Sequence, residues 1–110
     1  MSKRDAALLI EDMRAAMDKI ARYTAGMERA AFLEDEKTVD AVVRNVEIIG
    51  EASKQVPEDF KVLHAAVPWA QMVGLRNRIV HDYAGIDLEL IWEIVRHSLP
   101  ALRSQLDGLA

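Results

Sequence analysis

Apolar residues recur at steps of three and four along almost the whole of this chain, and nowhere do they alternate with polar residues over the length of a strand. That spacing follows the helical turn of 3.6 residues, so the accessible fold class is all-α. In the first segment Leu9, Met13, Met17, Ile20 and Tyr23 share one stripe, with Ser2 and Asp5 marking a start and Gly26 a stop. Met27 to Glu34 is weakly marked. Asp35 and Glu36 then place negative charge where a helix macrodipole favours it, at the head of a second long helix.

The stripe of that second helix is Val39, Val42, Val43, Val46, Ile49, Ser53 and Val56. Val and Ile are weak helix formers, so burial must stabilise it. Gly50 lies inside it, and an internal glycine costs about 1 kcal/mol relative to alanine. Close approach of another helix backbone is the expected compensation. Pro57 ends the segment. A connector to Val67 has room for one helical turn around Phe60 to Ala65. Pro68 suits the first turn of a third helix carrying Trp69, Met72, Val73, Leu75, Ile79 and Val80, and Ala84 and Gly85 break the pattern. Asp87 reads as an N-cap, with Ile86 and Ile91 placed as a hydrophobic staple. Leu90, Ile91, Ile94, Val95 and Leu99 form the last helix, which Pro100 should kink or break; Leu102 and Leu106 extend it beyond.

The expected architecture is an up-down antiparallel bundle of four to five helices, one domain spanning 1–110. The second and last helices are apolar over more than half their faces, more than so small a bundle should hide. A homodimer covering the remainder is therefore expected.

With 110 residues there is little room for a second domain, and with no cysteine there is neither a disulfide scaffold nor a cysteine zinc site. The apolar fraction of 51% suffices for a core. A net charge of -4 excludes a generic nucleic-acid coat, so any contact with RNA must use a local basic site. Six scattered aromatic residues argue against base stacking as the binding mode. The apolar run from Ala6 to Ile10 is too short for a secretory core, and Val62 to Leu75, the longest stretch free of Asp, Glu, Lys and Arg, is too short and polar to span a bilayer. A cytoplasmic protein, with no membrane partner, is the expectation.

Candidate chemistry is sparse. His64, His81 and His97 are not spaced as a helical metal pair. Glu93 and His97 are four apart, which reads as a surface hydrogen bond rather than a metal site. No phosphate-cradling glycine loop and no cysteine nucleophile exist, and no cofactor or metal is expected. One cluster stands out: Arg76, Asn77, Arg78, His81 and Tyr83 lie within eight residues at the end of an apolar helix. On a continuous helix Asn77 and His81 share a face, whereas Arg76 and His81 lie roughly 140° apart. Those two converge only if two copies meet across a dimer axis or if the helix end distorts. Metal-free RNA cleavage needs a group to take the 2′-hydroxyl proton and one to protonate the leaving oxygen, which histidine can do near neutrality. It also needs a fixed cation for the charge developing at phosphorus, which arginine supplies bidentately. On residue types alone, a solvated basic helix end with Tyr83 as a half-buried anchor is the plainer reading.

The string Arg76-x4-His81-x-Tyr83 resembles the Rx4HxY signature of HepT-like toxins, short members of the HEPN superfamily encoded beside minimal nucleotidyltransferases. Ile48-Ile49-Gly50-Glu51-Ala52 is similar to a segment of that family's second long helix, and Pro68-Trp69 and the stretch from Gly85 to Trp92 also fit. The resemblance implies an α-helical homodimer with a composite cleft. It implies metal-independent endoribonuclease activity with Arg76 and His81 as the catalytic pair, Asn77 and Arg78 supporting or touching RNA, and Gly50 and Glu51 serving helix packing or the dimer cleft. It further implies a toxin-antitoxin system in which a cognate nucleotidyltransferase antitoxin adenylylates Tyr83. The alternatives are a non-catalytic helical module that docks and regulates a nucleotidyltransferase, and a structural dimer with no site.

Overall fold

The computed structural model describes residues 5–80 and 85–109. Its helices are α1 (Ala6–Tyr23), α2 (Arg29–Glu34), α3 (Glu36–Gln55), α4 (Glu58–Leu63), α5 (Trp69–Val73), α6 (Leu75–Ile79), α7 (Leu88–Glu93) and α8 (Leu99–Asp107), with a π-helical turn at Ile94–Ser98 joining the last two. The principal rods are α1, α3, the α5–α6 pair interrupted at Gly74 and the composite α7–α8, and the all-α bundle expected from the periodicity is what forms. Among the described residues β-pairing is confined to one isolated antiparallel bridge, Val80 with Ile86. No described helix is long and apolar enough to cross a membrane.

The caps follow the local chemistry. Asp5, not Ser2, caps α1, accepting from the Ala7 N–H at 2.9 Å; Ser2 lies outside the described residues. Asp35 caps α3, accepting from the Thr38 N–H at 3.0 Å and the Thr38 hydroxyl at 2.7 Å. Those bonds, the backbone one foremost, hold its carboxyl below the ordinary carboxylate range. Asp87 caps α7 through the Leu90 N–H at 3.1 Å. The staple forms only on one side: Ile91 is buried, but Ile86 stays exposed because its backbone is held in the bridge to Val80.

Four expectations need correction. The third helix is not continuous: at Gly74 ψ is -1°, far from the helical value, so α5 ends at Val73 and α6 begins at Leu75, and Met72, Leu75 and Ile79 are all buried. It also ends early, at Ile79, with Val80 extended (φ -106°, ψ 121°). Pro100 does not break the last helix. The π turn lets Leu99 donate to the Ile94 carbonyl, five residues back, and the helix runs on to Asp107. This wider turn takes up the register where a proline lacks its N–H. Tyr23 leaves the α1 stripe: at the last helical position it is 41% exposed, with the Arg22 guanidinium 5.9 Å from its ring centre.

The fourth correction concerns the premise for a dimer. Val39, Val42, Val46, Ile49 and Val56 of α3, and Ile91, Ile94, Val95, Leu99, Leu102 and Leu106 of the last helix, are all buried within one copy. Short α2 supplies cover the sequence pattern did not reveal: Phe32 is fully buried, its ring centre 5.2 Å from that of Trp92. Among the described residues the most exposed large apolar side chains are instead Leu63 (76%) and Val62 (69%) on α4. A second copy is thus not needed to hide the apolar faces of α3 and α7–α8.

Candidate functional site

Glu47, Gly50, Glu51 and Lys54 stand at i, i+3, i+4 and i+7 on α3, so they occupy one face of that helix. Val73 of α5 and Arg76 and Asn77 of α6 stand opposite, and the two groups enclose a cleft of about 380 Å³. A small residue at position 50 keeps this arrangement open. A Cβ placed there would stand 3.4 Å from the Val73 carbonyl oxygen and 3.6 Å from that of Met72. The backbones of α3 and α5 therefore approach closely, as expected for an internal glycine, and the floor of the cleft is bare of side chains.

The 3.4 Å contact is ordinary for a methyl group, and alanine recovers about 1 kcal/mol of helix propensity. Gly50→Ala is therefore expected to melt at or slightly above the wild-type temperature. A leucine there drives into fixed carbonyls and fills the cleft floor, so Gly50→Leu should cost about 1–3 kcal/mol and lose RNA cleavage. Thermal melts and a cleavage assay on the pair check this; a Gly50→Leu protein as stable and active as wild type would contradict it.

Arg76 faces Glu47 across the cleft, Nε to Oε1, at 3.6 Å. That separation is too long for a hydrogen bond, and Arg76 is 53% exposed, so the pair orients the guanidinium weakly. Its terminal nitrogens make no ion pair among the described residues. Arg78, two positions on, points roughly 200° away around the helix axis and is not a cleft residue. Glu51 is exposed on the wall rather than packed.

His81 and Tyr83 lie outside the described residues. The helical-wheel relation between Arg76 and His81 no longer applies, because α6 ends at Ile79. What the structure fixes is the base of the segment that carries them: Val80 pairs with Ile86, and the Asp87 N–H donates to the Ile79 carbonyl at 2.8 Å. The other histidines have plain structural settings. His64 stacks on Phe60 with ring centres 4.5 Å apart, and its carbonyl accepts from the Trp69 indole at 3.1 Å. His97 stands 3.6 Å from Glu93 on an exposed face. Among the described residues no group of three or more His, Cys, Asp or Glu is placed to hold a metal ion.

Glu47 and Lys54 were not singled out in the sequence. The signal was available: extending the Gly50-Glu51 pair by one helical repeat in each direction reaches both. Nothing in the sequence, however, showed that Arg76 sits across from that face.

The family "Ribonuclease HepT-like" matches residues 13–109. The chain is similar to "Probable ribonuclease HepT" of Thermococcus cleftensis, with 39% identity over 97% of each chain. It is also similar to two proteins of Methanocaldococcus jannaschii, each named "Putative RNase". One is 42% identical over 91% of this chain and 83% of its own length. The other is 36% identical over 97% and 98%. No solved structure matches the chain.

Proposed function

Because this chain belongs to the HepT-like ribonuclease family, we propose that it is an endoribonuclease, the toxin of a toxin-antitoxin system, that cleaves RNA without a metal ion at a composite cleft of a homodimer. The observation that carries this reading is the placement of Arg76 and Asn77 over a cleft floored by Gly50. Arg76 binds the scissile phosphate and neutralises the charge that develops on its oxygens. His81 takes the proton of the 2′-hydroxyl as its oxygen attacks phosphorus, and a second His81, from the other copy, protonates the departing 5′-oxygen. Asn77 orients His81 or holds a phosphate oxygen.

Control follows from the same chemistry. A cognate nucleotidyltransferase transfers AMP from ATP to the Tyr83 hydroxyl, releasing pyrophosphate. The added phosphate then competes for Arg76 with the substrate phosphate, and the nucleoside adds bulk. The docking-module alternative draws on one observation, the balanced charge of the cleft: two carboxylates, Glu47 and Glu51, against two cations, Lys54 and Arg76.

The composite site is tested by mixing subunits. Wild type unfolded and refolded with increasing His81→Ala protein should lose cleavage as about the square of the wild-type fraction, because a mixed dimer holds only one of the two histidines that the shared cleft uses. A loss merely proportional to the wild-type fraction, with mixed dimers detected by native mass, would refute a shared site.

A further inference from the structure

We infer that Lys54 binds a second phosphate of the RNA strand in the cleft occupied by Arg76, so that the substrate is held through its backbone across α3 and α6. This rests on the nuclease reading above. Lys54 is exposed and lines the same cleft as Arg76 and Asn77, on the opposite wall. Of the two cations there, Arg76 already faces a carboxylate, Glu47. Lys54 makes no ion pair among the described residues, although Glu51 is three positions away on its own helix. An ammonium beside a cleft with no carboxylate partner is the group most available to an incoming phosphate.

The remaining lining supports backbone contact rather than base reading. Among the described residues that line the cleft none is aromatic, and both walls carry a cation. The floor at Gly50 is bare backbone. An RNA strand crossing here meets one cation on each wall, Lys54 on α3 and Arg76 on α6.

A competing role exists for Lys54. It stands in the last turn of α3, where a cation complements the helix macrodipole. That role affects stability alone, which makes the two separable. The probe is a short RNA strand carrying 2′-O-methyl groups, which cannot attack its own phosphates, titrated by fluorescence anisotropy at several salt concentrations. Cleavage of the unmodified strand is measured alongside. For Lys54→Ala the dissociation constant and KM should rise about three- to tenfold with kcat within about twofold, and the salt slope should fall by about 0.7, one phosphate contact on a single strand. Lys54→Arg should bind like wild type. Lys19→Ala, which removes an exposed cation of α1 away from the cleft, should change nothing. A Lys54→Ala protein that binds as wild type and only melts at a different temperature would overturn the assignment, as would an equal loss in Lys19→Ala. If Arg76→Ala loses cleavage while Lys54→Ala keeps full affinity, the nuclease reading stands and only the role of Lys54 falls. If the wild type neither binds nor cleaves RNA, both fall.

Discussion

Arg76→Ala and His81→Ala should each lower RNA cleavage by at least about 100-fold without unfolding the protein. The two halves of this expectation have separate grounds. General acid–base catalysis by a placed histidine contributes about 10²–10⁴-fold, and loss of a fixed cation at a developing oxyanion costs a similar factor. The fold, by contrast, asks little of Arg76. Its one ion pair among the described residues is 3.6 Å long and half exposed, worth at most about 1 kcal/mol. Melting temperatures of wild type and Arg76→Ala should therefore nearly coincide. Arg76→Lys refines the test: it keeps the charge but loses the planar two-point grip on phosphate, and should fall between wild type and alanine. Single-turnover cleavage of a labelled RNA checks all three. An Arg76→Ala protein with full activity would remove the cation from the mechanism.

The second large effect is on stability. Phe32→Ala should cost about 3–5 kcal/mol, a large share of the roughly 5–15 kcal/mol that holds a domain of this size. Phe32 is fully buried and its ring lies 5.2 Å from that of Trp92. It is the only buried residue of α2, and α2 is six residues long, too short to hold as a helix by its own propensity. Removing the ring therefore opens a cavity against α7 and frees α2 from the bundle. Denaturant unfolding followed by circular dichroism measures the loss. A change below about 1 kcal/mol would mean that α2 does not belong to the core.

These two positions show what the sequence displayed and what it hid. Stripes on long helices were legible because many residues repeat one period: Leu9, Met13, Met17 and Ile20 on α1, and Val39, Val42, Val46 and Ile49 on α3, are all buried as expected. The cap at Asp87 was legible because one residue type does a local job, whereas Asp35 was read only as favourable charge at the head of α3 and proves to be its cap. Gly50 was legible as a point of close helix approach, and α5 does pass close by it, with room for a residue no larger than alanine. Phe32 was not, since a single large side chain in a short segment has no period to reveal it. Gly74 was overlooked because its neighbours on both sides keep the apolar spacing, and only the backbone angle separates α5 from α6. Pro100 was legible in part: the helix does not break there, but it leaves α geometry in the π turn just upstream.

The site divides in the same way. Arg76 and Asn77 stood out by chemical type and sit on a cleft. The partners across from them, Glu47 and Lys54, depend on how α3 lies against α5 and α6, which no local pattern encodes. The apolar excess read as a demand for a second copy is buried within one copy, in part by α2, so the homodimer rests on the proposed composite chemistry.

The most direct test of the central claim is cleavage of total RNA and tRNA by the purified protein in excess EDTA, beside His81→Ala. The intact mass of each preparation is taken first, since AMP on Tyr83 would mask activity. Cleavage by the unmodified protein that persists in EDTA and disappears in His81→Ala is the predicted result. Cleavage that EDTA abolishes, or that His81→Ala retains, would contradict a metal-free mechanism built on His81, and no cleavage by unmodified protein on either substrate would contradict the nuclease itself.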